Sequence, residues 1–277
     1  MSKKKYAGEM DVVFEKRNDQ TVISNKRFSG LIKLSPTIHL DSEKISTYFI
    51  LGIGGGYVEG EKYRNIFKLE KESRAIITTQ ASTKIYKCPN GLNTEQETLI
   101  TLEKDSVLEY ITDPVILYKD AIYKQINNIY MDKSSTLIYT DGITSGWSPD
   151  GDEFKYRSLQ LKTNVYVNNK IILIDNLLVD TLHDDVRGIG YFEGYKNFGT
   201  LLVINSSIDE DVICELRKKI KDLDLPIYFG ISKLEVNGFV LRVLGDLTQN
   251  IEMAINVCHN LVRERFLGSK KLFIRKY

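Results

Sequence analysis

Acidic side chains recur beside glycine turns along this chain: Glu59 and Glu61, Glu109 with Asp113, Asp141, Asp152 with Glu153, and Asp175. Paired carboxylates can move protons, but acids near turns also serve solubility, and nothing local completes a catalytic constellation. No serine sits in a G-x-S-x-G elbow, and neither Cys88, Cys214 nor Cys258 has a catalytic signature. The histidines, His39, His183 and His259, lie far apart, none with a second ligand at helical metal-site spacing. The densest ionisable run, Asp180, His183, Asp184 and Asp185, precedes Arg187 and Gly188 and reads as a connecting loop.

The glycine cluster Gly54-Gly55-Gly56-Tyr57-Val58-Glu59-Gly60-Glu61 invites comparison with a phosphate-binding loop. Gly55 and Gly60 have the required separation, but Glu61 stands where a lysine must reach the phosphates. Tyr63, Phe67 and Leu69 then alternate with Lys62, Arg64 and Lys68, which is a strand and not the helix a phosphate loop must open. The glycines are a tight β connection where backbones approach closely.

The elements around these residues are mostly strands. At 277 residues, 42% hydrophobic, 27% charged and with net charge +1, the chain has a core's worth of apolar material and no field to attract nucleic acid or an anionic membrane. Ser2-Lys3-Lys4-Lys5 is a local basic tip without a following apolar segment. The longest strongly apolar run, Ile171 to Ile174, is too short for a membrane span. Three widely spaced cysteines imply free thiols and a cytoplasmic location.

Alternating runs at 9–14, 45–51, 74–79, 83–86, 98–102, 107–111, 121–131, 135–139 and 159–167 predict strands, with turns at Pro89-Asn90-Gly91, Asp141-Gly142 and Asn168-Asn169. No fixed-period repeat is apparent. The prediction is a mainly β fold, a large stacked antiparallel structure of β-helix or sandwich type over residues 1–199, with a small α+β subdomain over 200–277. There, Ser207 with Glu210 predicts a capped helix and Asn237-Gly238 a hairpin. Asp246 with Gln249 predicts a second helix, which Gly268 ends. On that helix Cys258 belongs to the buried stripe and His259 to the surface.

Two stretches carry a resemblance. Gly54-Gly55-Gly56-Tyr57-Val58-x-Gly60-Glu61, followed by Thr78-Thr79-Gln80-Ala81-x-x-Lys84-Ile85-Tyr86, resembles the signature of the urease accessory proteins called UreD or UreH. Gly146-Trp147-Ser148-Pro149-Asp150-Gly151-x-x-Phe154 with Asp175 is similar to the Gram-positive version, and so is Leu241-Arg242-Val243-Leu244-Gly245-Asp246 with Leu261-Val262-Arg263. Glu61 stands where the family usually has aspartate, and a proline-rich segment is thinned to Thr112-Asp113-Pro114-Val115-Ile116-Leu117.

The resemblance implies a non-catalytic chaperone that binds apo-urease with an F-type accessory protein and a G-type GTPase. It also implies transient nickel travelling through an internal passage, with no nucleic acid or membrane partner. Scattered carboxylates suit such a relay, since dense imidazole or thiolate ligands would trap the ion. Glu61, Glu109, Asp113, Asp141, Asp152 and Asp175 are the candidates to line it, and Thr78, Gln80, Lys84 and Tyr86 to form a polar network beside the glycines. A scaffold that reshapes urease without conducting metal, and an enzyme with a concealed acid–base pair, are the alternatives.

Overall fold

The computed structural model describes residues 6–40 and 43–274, so the basic tip Ser2-Lys3-Lys4-Lys5 lies outside the described residues. The chain opens with β1 (Gly8–Arg17), β2 (Gln20–Gly30), β3 (Ile32–Leu34), β4 (Ile38–His39) and β5 (Ser46–Gly52). It continues through β6 (Lys62–Leu69), β7 (Arg74–Thr79), β8 (Lys84–Ile85), β9 (Thr94–Leu102), β10 (Val107–Ile111) and β11 (Ile116–Leu117). Next come β12 (Ile122–Met131), β13 (Thr136–Ile143), β14 (Ser158–Val167) and β15 (Lys170–Asp180). The C-terminal elements are β16 (Asn197–Ile204), α1 (Glu210–Lys221), β17 (Ile227–Lys233), β18 (Gly238–Gly245) and α2 (Thr248–Phe266).

These strands form two large sheets in the orders β15-β14-β12-β9-β6-β1-β2 and β17-β18-β16-β13-β10-β7-β5-β3. From β5 to β14 each strand turns into the opposite sheet, and β8 and β11 make a narrow third side. A strand's neighbour in its own sheet is therefore one coil away, so central pairs such as β6 with β9 and β10 with β13 run parallel. The mainly β, stacked architecture is as the sequence predicts. The antiparallel expectation holds only toward the ends, as in β1 with β2, β14 with β15 and β13 with β16. Short turns excluded crossover helices, yet a coil returns each strand parallel without one.

The coil has a sequence repeat after all. Leu69-Glu70-Lys71-Glu72-Ser73, Leu102-Glu103-Lys104-Asp105-Ser106 and Met131-Asp132-Lys133-Ser134-Ser135 make three stacked turns between the sheets. In each, the serine N–H and Oγ both donate to the acid's carbonyl: Ser73 to Glu70, Ser106 to Glu103 and Ser135 to Asp132. The spacing is uneven. Tyr63, Gln96, Gln125 and Leu161 are mutual register partners in turn, at separations of 33, 29 and 36 residues.

Position 200 lies inside β16, which pairs with β13 on one side and β18 on the other, so the C-terminal strands extend the second sheet. The two helices cover its outer face through Leu201, Val203, Leu241, Val243, Ile213, Leu216, Ala254 and Cys258. Three local expectations are corrected. Asp209, not Ser207, caps α1 by accepting from Val212 N at 3.0 Å, because Ile208 is drawn into the core. Leu247 begins α2 without a side-chain cap, and Asp246 uses its carbonyl to accept from Asn197. Asp141-Gly142 is strand rather than turn: a Cβ on Gly142 would lie 2.8 Å from the Phe198 carbonyl, so glycine marks close strand packing.

One buried ion cluster fixes α2 to the sheet. Glu109 projects from β10 away from the inter-sheet core and accepts from Arg263, from His259 Nε2 at 2.7 Å and from Arg74 at 3.0 Å. Glu109 and Arg263 are wholly buried and His259 is 2% exposed, which corrects the surface placement of His259. Burial alone would raise the Glu109 carboxyl. The His259 hydrogen bond and the charges of His259, Arg263 and Arg74 outweigh it and hold the group down at about 2. Cys258 is in the core as expected, its thiol pushed up to about 12 by burial.

Removing one partner of a buried cluster strands the others, so Glu109→Gln should lower urea-measured stability by about 3–5 kcal/mol. A depressed carboxyl stabilises the fold above its unfolded value. The wild type should therefore lose stability as pH falls from 4.5 toward 2, and Glu109→Gln should lack that component of the slope.

Candidate functional site

In-register parallel strands place like positions above one another, and here that puts polar residues inside the core. Asn65, Thr98, Asn127, Thr163 and Asp175 are register partners in turn from β6 to the edge strand β15. They point between the sheets, flanked by Phe67, Ile100, Ile129 and Val165 of the apolar core. On the facing sheet Asp141, Thr200 and Arg242 form a second in-register row. The two rows meet at the sandwich edge, where Arg242 Nη2 donates to Asp175 Oδ1.

Hydrogen bonds tie the rows together. Asn127 Nδ2 donates to Tyr139 OH at 2.7 Å and Thr163 Oγ1 at 3.1 Å, and Tyr139 OH donates to Asp141 Oδ2 at 3.1 Å. Gln125 Nε2 donates to the same oxygen at 2.8 Å and Gly142 N to Oδ1 at 2.9 Å. Asp141 is half-buried, and its hydrogen-bond donors are all neutral. Burial pushes its carboxyl up to about 6, against the hydrogen bonds from Gly142, Tyr139 and Gln125. Asp175 is also raised by burial, while Arg242 pulls it down.

Cavities follow the ladder. One of about 30 Å³ is lined by Asn65, Gln96, Gln125, Asn127, Asp113 and Asp141 among others, and one of about 20 Å³ by Asp141, Thr163, Asp175 and Thr200. Each has room for one or two waters. The first shares Tyr57, Thr79 and Thr83 with a wider pocket of about 260 Å³ beneath Gly54, Gly55 and Gly56. Through Asp113 and Asp141 it also adjoins a cleft of about 580 Å³ between the second sheet, α2 and Leu272-Phe273-Ile274. Asn65 Oδ1 and Thr200 Oγ1 are buried without a protein partner.

Of the six carboxylates singled out from sequence, the fold brings Asp113, Asp141 and Asp175 to this interior. Asp113 accepts from Thr79 Oγ1 at 2.9 Å. Glu61 instead braces the glycine turn, accepting from Val58 N at 2.8 Å and Tyr63 OH at 2.7 Å. Glu109 faces α2, and Asp152 is 57% exposed beside Lys155. Thr78, Gln80, Lys84 and Tyr86 do not make one network. Thr78 Oγ1 donates to the Ile111 carbonyl, Tyr86 OH donates to the Gly55 carbonyl at 3.1 Å, and Gln80 and Lys84 line the glycine-side pocket.

Asp180, His183 and Asp184 make an exposed loop, with His183 Nδ1 2.9 Å from Asp180 and Asp184 accepting from Asp180 N. Among the described residues no three His, Cys, Asp or Glu converge to hold a metal ion. The inter-sheet polar residues Asn65, Gln96, Thr98, Gln125, Asn127 and Thr163 were not singled out from sequence. Their signal was available: a polar residue at an inward position in each of several successive strands.

A comparison with protein families bears out the resemblance. The sequence matches the family described as UreD urease accessory protein over residues 6–276. The chain belongs to that family. It is 38% identical over 272 residues to a urease accessory protein UreD of Lachnoclostridium phytofermentans, covering 98% of this chain and 99% of that one. A UreD of Streptococcus thermophilus is 37% identical over 271 residues, covering 98% and 97%. One of Ureaplasma urealyticum is 40% identical over 253 residues, covering 90% and 88%. No described helix is long and apolar enough to cross a membrane.

A carboxyl raised by folding stabilises the fold below its unfolded value and loses that contribution as pH rises through its folded value. Asp141 should thus lower stability between pH 3.8 and about 6, and Asp141→Asn should remove this fall in a series of melting temperatures against pH.

Proposed function

We propose that this UreD family member assists urease maturation in the cytoplasm as a non-catalytic chaperone. It binds apo-urease and, with an F-type accessory protein and a G-type GTPase, supports delivery of nickel to the urease active site along the inter-sheet ladder. Its relatives' name, urease accessory protein, supports the urease part of the reading. The observation that carries the passage is the row of buried polar side chains from Asn65 to Thr163, ending at the half-buried Asp175, with cavities along it and wider openings adjoining.

A hydrophobic sandwich has no need of such a row, since buried polar groups add little net stability even when satisfied. Its oxygens from Asn, Gln, Thr, Tyr and Asp can replace part of a cation's water shell at several points. Carboxylates and amides hold nickel less firmly than imidazole or thiolate, so each point can release what it admits. Glu61 and Glu109 are committed to structural bonds. Asp113, Asp141 and Asp175 are the charged waypoints.

The small cavities favour a second reading. Chambers of about 20 and 30 Å³ do not admit a fully hydrated ion, as a scaffold that reshapes urease without conducting metal would have no need to do. The two readings separate by experiment. Urease matured with the complete accessory set and Asp141→Asn or Asp113→Asn should contain several-fold less nickel, with co-purification of the accessory proteins and urease unaltered. Asp152→Asn should load normally. Full loading with both interior variants would leave the scaffold.

A further inference from the structure

The meeting of the two rows at β15 has a consequence beyond a passage. Asp141 and Asp175 face one cavity, and their mutual repulsion contributes to raising Asp141. The Thr200 hydroxyl, 6% exposed and without a partner, lines the same cavity between them and Arg242 in register. Asp141, Asp175 and Thr200 are hard-oxygen ligands of the kind a divalent cation takes. Asp141 meets only neutral donors, whereas Asp175 is already occupied by the Arg242 guanidinium, which reaches across from β18.

We propose that Arg242 masks a divalent-cation site made by Asp141, Asp175 and Thr200, and so sets how weakly this end of the ladder holds nickel. Two carboxylates without a competing charge would bind a dication firmly and slow its onward transfer. With Arg242 on Asp175, the ion must displace the guanidinium, and Arg242 reclaims the carboxylate as the ion leaves. Arg242 is half-exposed and Asp175 is 22% exposed, so the guanidinium can swing into solvent without being buried unpaired. Arg242 thus acts as a positioning residue that tunes affinity and does not itself ligate metal. This rests on the passage reading, and the two can fail separately.

The test is nickel titration of the full-length purified protein by calorimetry, beside nickel content of urease matured with each variant. Removing a unit charge a few ångströms from a bound cation at a partly wet edge should change affinity by about tenfold or more. Arg242→Gln should therefore tighten nickel binding by at least about tenfold, and adding Asp175→Asn or Asp141→Asn should cancel the gain. Arg242→Lys, which keeps the charge, should remain weak. Arg242→Met keeps the aliphatic stem and serves as a second neutral variant should Arg242→Gln fold poorly. Urease nickel should fall with Arg242→Gln although binding is tighter, because release is slowed. Unchanged affinity in folded Arg242→Gln and Arg242→Met would overturn the masking role. If Asp141→Asn still lowered urease nickel, the passage would stand without it. Normal urease loading in every variant would remove the passage itself.

Discussion

In-register parallel stacking is the constraint on which this molecule depends. When a coil places each strand directly above its predecessor, a residue type chosen for one strand meets the corresponding position of the next. Apolar partners such as Phe67 with Ile100, and Ile129 with Val165, build the core this way. The same rule turns single polar residues into a row, because Asn65, Thr98, Asn127 and Thr163 each find a polar partner in the neighbouring strand. Asn127 and Thr163, each costly to bury alone, satisfy one another, whereas Asn65 Oδ1 and Thr98 Oγ1 are left without a protein partner. A polar path through a sandwich therefore needs no channel architecture, only the repetition of one position.

The remaining elements hold that path at its ends. On one side the glycine turn, braced by Glu61 and by the stacked rings of Tyr57 and Tyr63, leaves a pocket above the first rungs. On another, the cluster of Glu109, His259, Arg263 and Arg74 locks α2 against the sheet and so fixes the wall of the large cleft. The two clusters of charge differ in kind. Glu109 is fully compensated by cations and is an anchor. Asp141 is half-buried among neutral donors and destabilises the ionised fold, which makes it a group retained for something other than stability.

Much of this was legible in the sequence, and the misses have identifiable causes. Period-2 runs located most strands, and Asn168-Asn169 gave its two-residue hairpin turn. Strand direction was lost because turn length alone does not say which sheet the chain enters next. The coil repeat was masked by separations of 33, 29 and 36 residues, although Glu-Lys-x-Ser recurs at Glu70 and Glu103, with a variant at Asp132. Acids near glycine were treated as one class, but only tertiary contacts separate Glu61 in a turn, Asp152 in solvent and Glu109 under a helix from Asp113, Asp141 and Asp175. Glu109 carried its own clue, a charge amid the apolar Val107-Leu108 and Tyr110-Ile111. His259 and Arg263 carried theirs, four residues apart on one helical face.

The central claim is that the polar ladder itself conducts nickel, and the most direct test leaves every carboxylate in place. The double substitution Asn127→Leu and Thr163→Val makes two adjacent rungs apolar with little change in volume. Nickel should then be measured in urease matured with this variant, alongside co-purification of the accessory proteins and urease. The ladder account predicts a normal complex and nickel-poor urease. A normal complex that yields fully loaded urease would contradict it.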